Sequence, residues 1–211
     1  MDFRITINRK KLAQIIANFL TALLTVVRNY FLLIVFPYKT VRKISADNDQ
    51  YQLIIIFGMI FLYFKFIYYL RGKPYPATLL FLIFVINFLI TVSLFYWLSK
   101  PANKIRFSSF IFTFSYSLLP TLTWFVASSL LYVLLPPPRT ISILGRGFSI
   151  FFLAFSLSLL AWKLILVYLS LRFSSRLGIY RILYMMFLYM LWFIPCTIFL
   201  YHFKLFRVPF I

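Results

Sequence analysis

The chain has 211 residues, 64% of them hydrophobic, with 22 Lys and Arg against 3 carboxylates and a net charge of +19. A mean hydropathy of +0.96 excludes a soluble globular domain, and a single cysteine excludes an intrachain disulfide. No Asp or Glu follows Asp49, which removes the buried carboxylates that most acid–base enzymes, proton relays and hard-metal sites require.

Residues 1–50 read as a basic leader. Arg4, Arg9, Lys10 and Lys11 precede an apolar stretch that starts at Leu12, as in a signal peptide. Arg28-Asn29-Tyr30 follows Val27 where a small-x-small pattern would mark cleavage, so retention of the segment is expected. Lys11, Gln14, Asn18, Thr21, Thr25 and Arg28 recur at steps of 3 or 4. That spacing predicts an amphipathic helix over about residues 10–36, lying in the membrane interface with Ile15, Ile16, Phe19, Leu20 and Leu23 toward hydrocarbon. The alternative is a sixth span with its polar stripe against neighbouring helices. Pro37 is expected to stop or bend this helix. Lys39, Arg42 and Lys43 then lead to Ser45, Asp47 and Asp49. Ser45 or Asp47 would cap the next helix, and both aspartates read as capping residues at its positive end.

Five spans are predicted, at about 51–70, 76–98, 109–135, 148–171 and 181–201. Each is long enough to cross ~30 Å of hydrocarbon. Helices satisfy their own backbone in lipid, and runs such as Leu79 to Ile86 lack the alternation of barrel strands. The expected fold is therefore an all-α, polytopic integral membrane bundle of five transmembrane helices behind an N-terminal interfacial helix. The domains are a leader over 1–50, a membrane domain over 51–205 and a short tail over 206–211. The short turn from Arg71 to Pro76 predicts an antiparallel hairpin of the first two spans. Bases number eight in 1–50, three in 99–108 and three in 172–181, against two in each segment on the other side. The charge rule then puts the N-terminus in the cytoplasm and the C-terminus outside.

Lys163 is the deepest charge, eight residues or ~12 Å from the end of its span. A centred charge costs ~3 kcal/mol on insertion scales. It reads first as a lysine snorkelling to headgroups and second as a cavity cation for a lipid phosphate or other anionic ligand. Lys65 reads as a snorkelling anchor. In the third span Ser117, Thr121, Trp124 and Ser128 share one helical face beside Pro120, either as hydroxyl-lined packing or as the wall of a polar cavity. Ala154, Ser158 and Ala161 form a small-residue face for close helix contact. Asn87 and Thr91 read as an interhelical hydrogen-bonding pair, and Cys196 as a small apolar residue. Tyr68, Tyr69, Tyr96, Trp97, Tyr132 and Tyr201 sit near span ends as interface anchors. No zinc-protease helix, serine elbow or aspartyl pair can be written from these residues, and no cofactor or metal is expected. The bases cluster at span ends, so anionic headgroups rather than nucleic acid are the expected partner. The contact residues would be Lys39, Arg42, Lys43, Lys104, Arg106, Arg172 and Arg176. A protein partner or a homo-oligomer would use the same side.

Phe114-Ser115-Tyr116-Ser117-Leu118-Leu119-Pro120 resembles the aromatic-Ser-x-x-Pro signature in a middle span of the Yip (Ypt-interacting protein) family. Trp162, followed by a short basic loop and a final span, is similar to that family's closing pattern, and the likeness covers roughly residues 30–205. The resemblance implies a non-enzymatic scaffold for trafficking or membrane organisation, here in a prokaryotic cytoplasmic membrane. The competing function is a small, oligomeric transporter with a polar cavity near Asn87, Thr121 and Lys163. Convergence of Asn87, Ser117, Thr121 and Lys163 on a cavity would favour transport; tight packing or lipid exposure would favour the scaffold.

Overall fold

Apolar runs of this length must satisfy their own backbone in lipid, and helices alone do so segment by segment. The computed structural model describes residues 2–47, 49–71, 75–99, 107–134 and 143–203, with side chains from residue 13 onward and without those of 71, 143 and 144. All regular structure among the described residues is helical. The helices are α1 (Asp2–Val35), α2 (Pro37–Ala46), α3 (Gln50–Arg71), α4 (Ala77–Ser99), α5 (Phe107–Tyr116), α6 (Leu119–Leu134), α7 (Ile143–Ser175) and α8 (Ile179–His202).

Six stretches are long and apolar enough to cross a membrane, one more than expected: Ala13–Val35, Gln50–Leu70, Ala77–Ser99, Phe107–Leu134, Gly145–Ser175 and Ile179–His202. The additional one is the leader helix. Within α1, Ala22, Val26, Asn29 and Leu33 are buried at steps of 4, 3 and 4, a single face that packs on α3. The two helices run antiparallel. Asn29 and Gln52 meet the same Tyr116 hydroxyl, whereas Val26 and Val27, earlier in α1, share a groove with Leu62 and Phe66, later in α3. A 23-residue helix is ~35 Å long, so this one runs beside a span for most of its depth. The two threonines of the expected polar stripe are satisfied within the helix. Thr21 Oγ1 donates to the Ala17 carbonyl at 3.0 Å and Thr25 Oγ1 to the Thr21 carbonyl at 2.8 Å. Ile15, Ile16, Phe19 and Leu20 are exposed and Leu23 is half-buried.

The element with a basic outer face and an apolar inner face is α2. Phe36 breaks the helical path with φ −132°, and Pro37 opens the new helix at a position where its missing N–H costs nothing. Thr40, Val41 and Ile44 are buried, while Lys39, Arg42 and Lys43 are exposed. Thr40 Oγ1 donates to the Phe36 carbonyl at 2.8 Å and to the Leu32 carbonyl at 3.2 Å, closing the C-terminal end of α1. Asp47 is the C-cap of α2, and Ser45 donates to the Arg42 carbonyl, so neither caps α3. Asp49 does: its Oδ1 accepts the Tyr51 N–H at 3.0 Å.

The antiparallel hairpin of α3 and α4 is laced by rings, Phe57 on Phe88, Phe61 on Phe81 and Phe64 on Phe84, with centroids 5.2, 5.1 and 5.9 Å apart. The middle residues 73 and 74 of its turn lie outside the described residues. Between α4 and α8 the antiparallel register shows at three levels. Arg181 Nη2 approaches the Leu98 carbonyl at 3.5 Å, Phe95 meets Tyr189 at 5.4 Å, and Cys196 Sγ donates to Asn87 Oδ1 at 3.6 Å. In α7 the inner face is Leu159, Lys163, Leu166, Val167 and Ser170. The small residues Ala154, Ser158 and Ala161 are exposed, so the close contact expected of them does not occur inside the bundle. Arg176 follows α7 with φ +53°, a left-handed position that reverses the chain and that glycine ordinarily takes.

Candidate functional site

The third expected span is two helices. α5 ends at Tyr116 and α6 starts at Leu119. Pro120 has no N–H to give the Tyr116 carbonyl, and its ring clashes with the turn below. The chain answers with two tighter bonds, Ser117 N–H to the Phe114 carbonyl at 3.0 Å and Leu118 N–H to the Ser115 carbonyl at 3.1 Å. A break of this kind is tolerated at membrane depth only where protein surrounds it or a cavity meets it. Here both occur, one on each side.

On the side of α4, α7 and α8 lies a cavity of about 40 Å3. Its polar lining is Asn87 and Thr91 from α4, Ser117 from the break, Lys163 from α7, and Tyr189 and Cys196 from α8. Lys163 is only 5% exposed, and its ammonium stands 5.5 Å from the Phe193 ring centroid. It therefore does not snorkel to headgroups but points inward. Ser170 Oγ donates to the Thr113 carbonyl at 3.3 Å where α7 passes α5 in the opposite sense. Seven residues back along α7 and seven forward along the broken span are each ~10 Å, which brings Lys163 level with the break. The face of the Phe193 ring favours the ammonium there.

The four polar residues expected to act together separate into two pairs. Asn87 and Ser117 line the cavity with Lys163; Thr121 and Ser128 are buried elsewhere in the bundle. Ser128 Oγ donates to the Phe125 carbonyl at 3.0 Å, and Trp124 Nε1 donates to Ser156 Oγ of α7 at 2.9 Å. The physical reason is the break, which resets the helical phase between Ser117 and Thr121. Thr91 does not pair across helices either, since its hydroxyl donates to the Asn87 carbonyl at 2.9 Å within α4. The interhelical partner of Asn87 is Cys196, a role that a small apolar residue would not fill.

On the opposite side of the break runs a hydrogen-bonded chain that the sequence does not announce. Asn29 of α1, 4% exposed, donates Nδ2 to the Tyr116 hydroxyl at 3.2 Å. That hydroxyl donates to Gln52 Oε1 of α3, and Gln52 Nε2 donates to Asp49 Oδ2 at 3.1 Å. Next to Asn29 in sequence, Tyr30 joins α1 to Thr123 of α6 through their hydroxyls at 2.9 Å. Interhelical bonds in membrane bundles are each worth ~0.6 kcal/mol on average and up to ~1.7. Together they fasten α1 to the bundle.

Five of the expected contact bases meet at the α2 end. Lys39, Arg42, Lys43 and Arg176 are exposed there. The Arg172 guanidinium stands 5.7 Å from the Tyr38 ring centroid and donates to the Tyr168 hydroxyl at 3.4 Å. Tyr38 packs edge-on against Phe173 at 5.0 Å, which fixes α2 to the end of α7. Lys104 and Arg106 lie outside the described residues. Lys65, by contrast, is exposed on α3 with its ammonium 5.1 Å from the Phe61 ring centroid, a surface anchor. Comparison of the chain with protein-family models, curated proteins and solved structures returns no match, so functional assignment rests on these residues alone.

Proposed function

We propose that the protein is a non-enzymatic scaffold of the membrane whose α2 end holds anionic lipid headgroups. One observation carries the reading: Lys39, Arg42 and Lys43 project from a short amphipathic helix anchored on its inner face beside Arg172 and Arg176. Bases arranged on such a platform gain about 1 kcal/mol each near an anionic leaflet. The cytoplasmic leaflet of a prokaryotic membrane fits that chemistry, and a protein partner or second copy would approach on the same surface. A Yip-type role is supported by Phe114 to Pro120, the segment that forms the break.

We further propose that α1 crosses the bilayer, giving six spans where the spacing of polar residues predicts five and an interfacial helix. The antiparallel run of α1 beside α3 supports this. Connectivity then puts nine bases at the α2 end and ten at the other, with Arg28, Lys65 and Lys163 within spans. The charge rule alone no longer orients the chain, and the clustering on α2 supports a cytoplasmic position for that end. Both termini then lie outside. Reporter fusions at either terminus check the arrangement: signals from opposite sides restore the five-span topology with a cytoplasmic N-terminus.

The test of lipid binding is the lipid retained by purified protein in nanodiscs of phosphatidylcholine and phosphatidylglycerol. The wild type should enrich phosphatidylglycerol, and the triple variant K39Q/R42Q/K43Q should lose that enrichment. Equal retention by both proteins would rule out the α2 platform as the binding surface. A transport reading is favoured by the convergence of Asn87, Ser117 and Lys163 on one cavity. Thr121 is not part of that lining.

A further inference from the structure

We infer that the cavity at Lys163 binds the carboxylate head of a single-chain fatty acid that reaches it sideways from the bilayer, between α4 and α8. The inference stands apart from the scaffold and transport readings and needs neither.

Four observations lead to it. The first is charge. The cavity holds a lysine side chain that is 95% buried, counting from its 5% exposure, and no carboxylate follows Asp49 in the sequence. The other residues that line the cavity are neutral side chains, so the site keeps a positive charge that an anion completes. The second is donor chemistry. Asn87 spends its oxygen on Cys196 Sγ, which leaves the amide nitrogen as a second donor beside the ammonium.

The third observation is size. One water requires ~10–15 Å3 of such volume, and the cavity has about 40 Å3. That suits the three heavy atoms of a carboxylate and is too small for a phosphodiester with its central atom, four oxygens and substituents. The fourth is access. The lining residues of α7 and the break, Lys163, Val167 and Ser117, are buried, whereas Asn87, Thr91 and Cys196 are half-buried and Trp192 is 39% exposed. The open rim therefore lies between α4 and α8 at mid-span, where the surroundings are hydrocarbon. A hydrated inorganic ion does not arrive by that route. An amphiphile does, with its tail left among the exposed apolar residues of α4 and α8, such as Ile86, Ile90 and Leu191.

The test uses the full chain in phosphatidylcholine nanodiscs with three probes: radiolabelled palmitate, hexadecanol and hexadecyl phosphate. Palmitate should bind saturably and at least tenfold more tightly than either of the others. Lys163→Met should weaken palmitate at least tenfold, and Asn87→Leu about threefold. A stearate spin-labelled near its head should quench tryptophan fluorescence in the wild type, and Trp192→Phe should remove most of that quenching. Equal affinity for palmitate and hexadecanol, equal affinity for hexadecyl phosphate, or unchanged palmitate binding by Lys163→Met would each overturn the proposal. Should Lys163→Met fail to fold, the ranking of the three probes on the wild type and the location of the quenching decide the matter without it.

Discussion

The two sides of the break after Tyr116 hold polar groups in different ways. Toward α1 and α3, Asn29, Tyr116, Gln52 and Asp49 form a chain in which each member answers the next. Toward α4, α7 and α8, Asn87, Ser117 and Lys163 line a common volume. A buried hydrogen bond made by both partners contributes stability, and its loss costs the desolvation of whatever is left behind. Polar groups around a hollow contribute little of that kind and instead set what the hollow accepts. Both meet at the same broken span, Tyr116 facing one side and Ser117 the other.

Substitutions can separate these two roles. The largest loss of stability is expected from Tyr116→Phe, which strands both Asn29 and Gln52. About 2 kcal/mol should go, read as a lower midpoint of thermal unfolding in detergent, with palmitate affinity unchanged. Lys163→Met should show the reverse pattern, with binding lost and the midpoint held or raised, since it removes a buried charge. If both substitutions moved both readouts together, the two sides would be one coupled unit and the distinction would fail. Asp49→Ala removes the cap of α3 and the last link of the chain at once, for about 1 kcal/mol. Arg176→Gly relieves the left-handed position after α7 and should raise stability by about 0.5–1 kcal/mol, with neither side of the break affected. The smallest change in midpoint, within ±0.5 kcal/mol, is expected for K39Q/R42Q/K43Q, whose exposed side chains act on lipid and not on the fold.

How much of this is legible in the sequence depends on the range of the interactions. Span lengths follow from hydropathy, because the bilayer acts as a solvent and reads composition locally. The α3–α4 hairpin follows from a short turn. Lys163 stands out since a lone charge in a long apolar run is conspicuous. The face shared by Ser117, Thr121, Trp124 and Ser128 is misread because helical spacing was counted across Pro120, where the phase is not continuous. The packing of the leader helix is hidden for a related reason. Its polar stripe is visible, but its buried face of Ala22, Val26, Asn29 and Leu33 is defined by partners far along the chain. Asn29 and Tyr116 are 87 residues apart, and Tyr116 and Gln52 are 64 apart. Nothing local marks either pair.

That separation also sets a clock. Asn29 leaves the ribosome 87 residues before the hydroxyl that receives it, and synthesis at ~5–20 residues per second makes the interval on the order of ten seconds. For that time α1 has no α5 to hold it, and a buried amide in lipid favours any donor or acceptor at hand. The attachment of α1 is thus an event of assembly completed only when the fourth of the six hydrophobic segments arrives.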